Sequence, residues 1–280
     1  MMVMRTEFSH GTCGVQNPVQ QPPNSRAVGI DRGRAAMRWP PAPVRRLAIA
    51  LALLAALVAP GAATLWIWSP DASDIQARVI RLASSNGLTL LGENEVPPVL
   101  AHAVVATEDE RFYSHHGVDS IGLGRALLYD VVNVCLCQGG STITQQLVKD
   151  VYLGGSDLGY NKLEGLALAL KAERVLTKRE IMADYLSIIT TGYGLRGVTA
   201  AACAYYRAPL RELSIAQYAL LAGVTQAPSL YDPTIDPEAA QQRRAQVLAA
   251  MVADHYITAA QAQTANAEPV LDRGPGRPGC

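Results

Sequence analysis

From Leu47 to Trp68 the chain runs 22 residues without a charge, LAIALALLAALVAPGAATLWIW. This run constrains the fold more than any other feature. A helix of that length crosses a hydrocarbon core of roughly 30 Å, and it has no polar stripe to present to water. Arg45 and Arg46 precede it and Asp71 and Asp74 follow it. The positive-inside rule therefore places the N-terminus in the cytoplasm and residues 69–280 outside. Trp66 and Trp68 fit the outer interface as aromatic anchors, and Pro60-Gly61 can bend the helix without stopping it from spanning. A cleaved signal peptide, cut after Gly61-Ala62-Ala63, is the weaker reading. The leader of 46 residues is long for one, and the apolar run continues past the site.

Residues 1–46 hold seven of the 24 basic residues and two of the 24 acidic ones, which leaves 17 basic against 22 acidic in the remainder. A mildly acidic body argues against nucleic acid as its partner. The arm, with six prolines and no sustained periodicity, reads as disordered and as the determinant of membrane orientation. Five cysteines give no complete disulfide framework. Cys135, Cys137 and Cys203 read as free thiols, with no histidine or cysteine at metal-site spacing beside the first two.

After the apolar run, residues 69–268 read as one mostly α-helical domain, and 269–280 (PVLDRGPGRPGC from Pro269) reads as a disordered tail. Pro97-Pro98 can open a helix through 99–111. Residues 160–176 place Leu163, Leu166, Ala167 and Leu170 on one apolar face. Thr177 to Glu180 and Ser214 to Gln217 are capping boxes, the second starting an apolar helix that ends at Gly223. Asp236-Pro237 starts another helix that runs to about Asp254, and Thr258 caps a last one. The one β signal is a short hairpin around Gly87–Leu91.

Three stretches are too polar to be core packing. Glu108 to Gly117 (EDERFYSHHG) follows an apolar helix and ends in a glycine turn. A carboxylate there meets apolar walls, where burial lifts its pKa toward the range of a general base. Gly139 to Lys149 (GGSTITQQLVK) leads two glycines into a helix whose first turn offers free N–H groups, hydroxyls and amides. With Lys149 two turns on, that surface suits a phosphate or a sugar. Glu164 is a lone carboxylate among leucines. His115 and His116 are adjacent, point in different directions and lack a third metal ligand, so His115 reads as a hydrogen-bonding wall.

EDERFYSHHG, GGSTITQQLVKD and QAPSLYDP followed by RRAQVL resemble the signature motifs of glycosyltransferase family 51, the glycan-polymerising domain of class A penicillin-binding proteins and their monofunctional relatives. The likeness covers about residues 75–268. Without the Ser-x-x-Lys and Lys-Thr-Gly motifs of a transpeptidase, it points to the monofunctional members. It implies a lysozyme-like, mostly α fold behind one transmembrane helix. The implied reaction polymerises lipid-linked disaccharide (lipid II) into β-1,4 glycan with inversion, releasing polyprenyl pyrophosphate. The partners it implies are lipid II, the growing glycan strand, the membrane and other cell-wall proteins such as a transpeptidase.

Carried over by motif, Glu108 is the general base and Glu164 the second catalytic carboxylate, acting on the pyrophosphate with a divalent metal (Mg or Mn). Asp109, Phe112 and His115 shape the pocket, while Arg111 within the same stretch reads as a substrate phosphate contact or a solvated charge. Gly140, Ser141, Thr142, Gln145, Gln146 and Lys149 bind substrate, with Lys149 facing pyrophosphate. Arg243, Val247 and Leu248 match a motif of structural character.

The chain departs from the family around Glu164. Tyr160 and Asn161 stand where the family has Arg-Lys, which leaves Lys162 and Lys171 to compensate. Asp150 and Ser187 replace asparagines, and Thr190-Thr191 replaces an aromatic pair. Two alternatives follow: a catalytically impaired lipid II-binding or scaffold protein, and a lysozyme-type glycan-cleaving enzyme. The second is disfavoured by the phosphate-binding character of 139–149. The charge asymmetry yields a direct expectation. A reporter fused after Cys280 should be active only outside the cytoplasm, and activity confined to the cytoplasm would refute the topology.

Overall fold

The computed structural model describes residues 41–133, 140–156, 158–192, 194–271 and 280. The arm before residue 41, Cys13, Cys135, Cys137 and Gly139 lie outside the described residues. The backbone divides into two compact units, one ending at Leu53 and one running from Leu54 to Cys280. The division falls within the first helix, α1 (Ala42–Trp68), whose 27 residues are long and apolar enough to cross a membrane.

The larger unit is built of helices. They are α2 (Ile75–Asn86), α3 (Pro98–Glu108), α4 (Ser120–Asn133), α5 (Ile143–Tyr152), α6 (Tyr160–Ala172), α7 (Lys178–Ile188), α8 (Val198–Tyr206), α9 (Ile215–Val224), α10 (Pro237–Ala253) and α11 (Ala259–Asn266). Strands β1 (Thr190–Gly192) and β2 (Leu195–Arg196) pair antiparallel and form the sheet between α7 and α8. Helix α9 is the buried centre, packed on α3 and α10, while α5 packs on α6 and α7. Tyr205 and Tyr206 of α8 are core residues, as their place in an alanine-rich helix suggests.

Local signals explain most helix boundaries. Thr177, Ser214 and Thr258 each accept from the N–H three residues on, with the returning side-chain bond that completes a capping box. Asp236 caps α10 with Pro237 in the first turn. Four expectations are corrected. The glycine at 87 is not a hairpin turn: it closes α2 in the left-handed region (φ 65°), and residues 88–92 form no strand. The Leu91 N–H there donates to Ser187 Oγ at 2.9 Å. Helix α3 stops at Glu108, not 111, because Asp109 leaves the helix to bond elsewhere. Helix α6 buries Gly165, Ala167, Leu168, Ala169 and Ala172, so of the expected face Ala167 is buried while Leu163 and Leu170 turn outward. Its small residues allow backbone contact that the leucines would block. Finally, Cys203 is not a free thiol; it forms a disulfide with Cys280.

Lys171 ends at the C-terminus of α1. Its Nζ donates to the carbonyls of Trp66 and Ser69 and to Ser69 Oγ, each at 2.8 Å. The ammonium satisfies carbonyls that a helix end leaves unpaired, and Arg174 stacks on Trp66 beside it at 4.6 Å.

Asp184, buried on α7, accepts from Gln76 Nε2 of α2 at 2.8 Å. Burial, with Glu180 nearby, pushes its pKa from an ordinary 3.8 up to about 7. Between those values the folded state binds the extra proton, so stability falls as pH rises from about 4 to 7 and then levels off. Asp184→Asn should therefore stabilise the protein by roughly 1–3 kcal/mol at pH 8 and have little effect near pH 4. Thermal melts at the two pH values provide the check.

Candidate active site

The site is assembled where α3 ends. The Asp109 carboxylate accepts the Ile143 N–H at the start of α5 at 3.1 Å, and His115 Nε2 lies 2.9 Å from both its oxygens. Four residues after the helix end, Phe112 inserts into the core with no exposed surface, and the Lys178 ammonium lies 4.3 Å from its ring centroid. Gly117 closes the loop at φ 87°, where a Cβ would come within 2.6 Å of the Ala169 backbone on α6. Its carbonyl accepts from Thr142 Oγ1 at 2.7 Å. Thr142 and Gln145 form a capping box that opens α5. These bonds lock α3, α5 and α6 into one frame.

In that frame Glu108 is 10% exposed at its side chain. Its Oε2 accepts from Gln146 Nε2 at 2.9 Å, and Tyr185 Oη donates to Gln146 Oε1 at 3.1 Å. The tyrosine thus fixes which end of the amide faces the carboxylate. Burial raises the Glu108 pKa above the ordinary glutamate range, opposed by Gln146, Arg243 and Lys149. Arg243 Nη2 stands 4.0 Å from Glu108 Oε1.

Two clefts meet at Glu108. The larger, about 840 Å³, is lined by Ser141, Gln146, Lys149, Asp150, Thr190 and Arg196 among others. The smaller, about 60 Å³, runs past Glu110, Asp119, Gly140, Ser141 and Thr142. A further hollow beside α6 is lined by Ser141, Gln145, Gln146, Lys149, Asn161 and Lys162. Lys162 Nζ donates to Ser141 Oγ at 2.5 Å. Burial raises the Asp150 pKa against the opposing charges of Lys149 and Arg196.

The residues expected at the site therefore separate. Glu108, Gly140, Ser141, Gln146 and Lys149 gather on the clefts. Asp109, Thr142 and Gln145 also reach the lining, yet with His115 they are engaged in bonds that hold the frame. Phe112 supports the loop from behind and does not line the pocket. Arg111 is bound to Asp119 through Nε (3.2 Å) and Nη2 (2.5 Å), so it works as a structural pair. Glu164 is half-buried on α6 and lines none of these three clefts. Of the two lysines expected to compensate at 160–161, Lys162 reaches the hollow beside Lys149, while Lys171 is held at α1. No group of three His, Cys, Asp or Glu side chains able to hold a metal occurs among the described residues. The described residues thus supply no ready ligand set for a resident metal ion.

Sequence reasoning missed Arg196 and Arg243. Arg196, in β2, lies in a segment without motif character. Arg243 lies far along the chain, in a motif read as structural; its place beside Val247 and Leu248 on the buried side of α10 is the available signal.

The transglycosylase family model matches residues 76–252. The chain belongs to this family, that of the glycosyltransferase domain of class A penicillin-binding proteins. Its class is that of the peptidoglycan glycosyltransferases. Among its relatives, penicillin-binding protein 1A of Vibrio cholerae is 41% identical over 179 residues, 64% of this chain and 22% of that protein. The protein of the same name in Aquifex aeolicus is 38% identical over 207 residues, 72% of this chain and 28% of that one. That of Streptococcus oralis is 42% identical over 182 residues, 64% of this chain and 29% of that one. The chain thus spans under a third of the length of these relatives.

A general-base Glu108 makes a specific demand. Glu108→Gln keeps the Gln146 contact and should cut turnover by roughly a hundredfold or more while the protein stays folded. Because the ionised form acts and burial raises its pKa, activity should fall on acidification at a pH above the ordinary glutamate value of 4.5. A pH–rate profile with unchanged turnover in the glutamine variant would remove Glu108 from the chemistry.

Proposed function

We propose that this protein polymerises lipid II into β-1,4 glycan strands at the outer face of a membrane, with its N-terminus in the cytoplasm. The observation that carries the reading is a buried, pKa-raised carboxylate at the junction of two clefts, with cations on one side of it. Glu108 takes the proton from the acceptor sugar's 4-hydroxyl as that oxygen bonds to the anomeric carbon of the donor. The bond from that carbon to the polyprenyl pyrophosphate breaks with inversion, and the pyrophosphate departs with the electron pair. Lys149, with Lys162 and Arg196 near it, meets the negative charge that develops there. A cation of this kind counts for more in a partly dry cleft than in water.

Magnesium or manganese, where required, would enter as a counter-ion of the pyrophosphate, because a hard cation of this kind is commonly held by substrate phosphates with few protein ligands. Anchoring by α1 keeps the enzyme at the surface that its lipid-linked substrate cannot leave, raising their effective concentration. A transpeptidase that cross-links the strands is the natural partner, and nucleic acid is not.

Purified lipid II incubated with the full chain in detergent should yield glycan polymer, and Lys149→Ala should lose more activity than Glu164→Gln. Lipid II binding without polymer would favour the scaffold reading. A silent Lys149→Ala, with activity indifferent to chelator, would show that the pyrophosphate is held elsewhere.

A further inference from the structure

We propose that Arg243 is a positioning residue for Glu108, holding the buried carboxylate ionised and aligned from behind without hydrogen-bonding to it; the catalytic part of this inference rests on the glycosyltransferase reading above. The geometry is specific. Arg243 projects from α10, its Nε donates to the Gly223 carbonyl at 3.2 Å and its Nη1 donates to Gln246 Oε1 at 3.2 Å. Gly223 is needed for that path: a Cβ there would lie 2.9 Å from Arg243 Cγ and 3.2 Å from Val247 Cγ2. The remaining nitrogen, Nη2, is buried and has no hydrogen-bond partner. It faces Glu108 Oε1 at 4.0 Å, and that oxygen is buried and unpartnered too. Leaving two such groups unsatisfied is costly to a fold. Here they carry opposite charges and face each other, so attraction across the gap offsets part of the cost. Neither oxygen of the base is taken by an arginine hydrogen bond.

The neighbouring arginine shows that this is not a property of the motif as a whole. Arg244 turns the other way and clamps the chain after α11. Its Nη1 donates to the Pro269 carbonyl, and its Nη2 donates to the carbonyls of Asn266 and Glu268 and to Gln241 Oε1. The pair divides into a structural member and a member aimed at the base.

The groups facing Glu108 come from four elements. They are its neighbour Asp109 at the end of α3, Gln146 and Lys149 of α5, Tyr185 of α7 and Arg243 of α10. Lys149 stands in the open cleft, where substrate changes its surroundings, and it also faces Asp150. Arg243 is sealed away at 9% side-chain exposure, so its charge acts on Glu108 whether or not the cleft is filled.

The test uses the full chain in detergent with Arg243→Gln and Arg243→Met as uncharged variants and Arg243→Lys as the conservative one. Each uncharged variant that melts normally should lose about tenfold or more in kcat at neutral pH with KM within about twofold. The acid limb of its pH–kcat profile should move up by about one unit, with partial return in Arg243→Lys. A second readout is independent of turnover. The ¹³C carboxyl signal of Glu108, assigned by its disappearance in Glu108→Gln, should titrate at higher pH in the uncharged variants. An unmoved titration in a folded variant overturns the proposal, and so does failure of both uncharged variants to fold, which would make the residue structural. Should the parent not polymerise lipid II, the functional reading fails, while the carboxyl titration still decides the role of Arg243.

Discussion

The whole site hangs on the Asp109 carboxylate. By accepting the Ile143 N–H it satisfies one of the donors left open at the start of α5, and a negative charge at that end of a helix is favoured by the helix dipole. Reaching α5 forces the backbone at Asp109 out of helical geometry (φ −160°), so α3 must end at Glu108. Glu108 is therefore the last residue of a helix, with its backbone fixed by regular hydrogen bonds and its side chain on the cleft. His115 holds the other face of Asp109, and Gly117 turns the loop back against α6. A residue matched to the family as a pocket wall is, physically, the cap that places its neighbour.

The legible part of the fold was written in short-range chemistry. The apolar run of α1 and the capping signals at Thr177, Ser214, Asp236 and Thr258 depend only on residues a few positions apart, and they appear where their patterns put them. Glu108 and Lys149, which line one cleft, lie in long and ordered motifs. Features decided by tertiary packing were not legible. The buried face of α6 is set by Gly117 pressing on the Ala169 backbone, which favours small residues over the leucines that periodicity selects. The disulfide between Cys203 and Cys280 joins positions 77 apart, with no local spacing to announce it. Arg243 meets Glu108 only through the packing of α10 on α3.

The altered charges around α6 follow the same logic. Lys171 is on the right helix, yet it is consumed by the carbonyls of Trp66 and Ser69. It ties the end of α1 to the body, a use that precludes a phosphate contact. Lys162 lies in the first turn of α6, where its ammonium reaches Ser141. A cation's value to a leaving group depends on its position relative to the reacting bond, so helix register decides which lysine can stand in for the Arg-Lys pair that Tyr160 and Asn161 replace. Arg196, from the β1–β2 pair, brings a further positive charge to the lining of the large cleft beside Lys149.

A base for hydroxyl deprotonation must satisfy two opposed requirements. It must be dry enough that its basicity is raised, and charged enough at neutral pH to act at all. Burial alone meets the first and defeats the second, since an isolated carboxylate in an apolar site simply stays protonated. In this protein the opposing influences come from separate layers. The core formed by α3, α9 and α10 removes water from Glu108. Gln146, oriented by Tyr185, gives one oxygen a hydrogen bond. Arg243 supplies charge through a gap that leaves the second oxygen without a bond. Because α10 carries the charge and α5 carries the amide, the basicity of Glu108 can be tuned from the core without altering the surface that meets substrate.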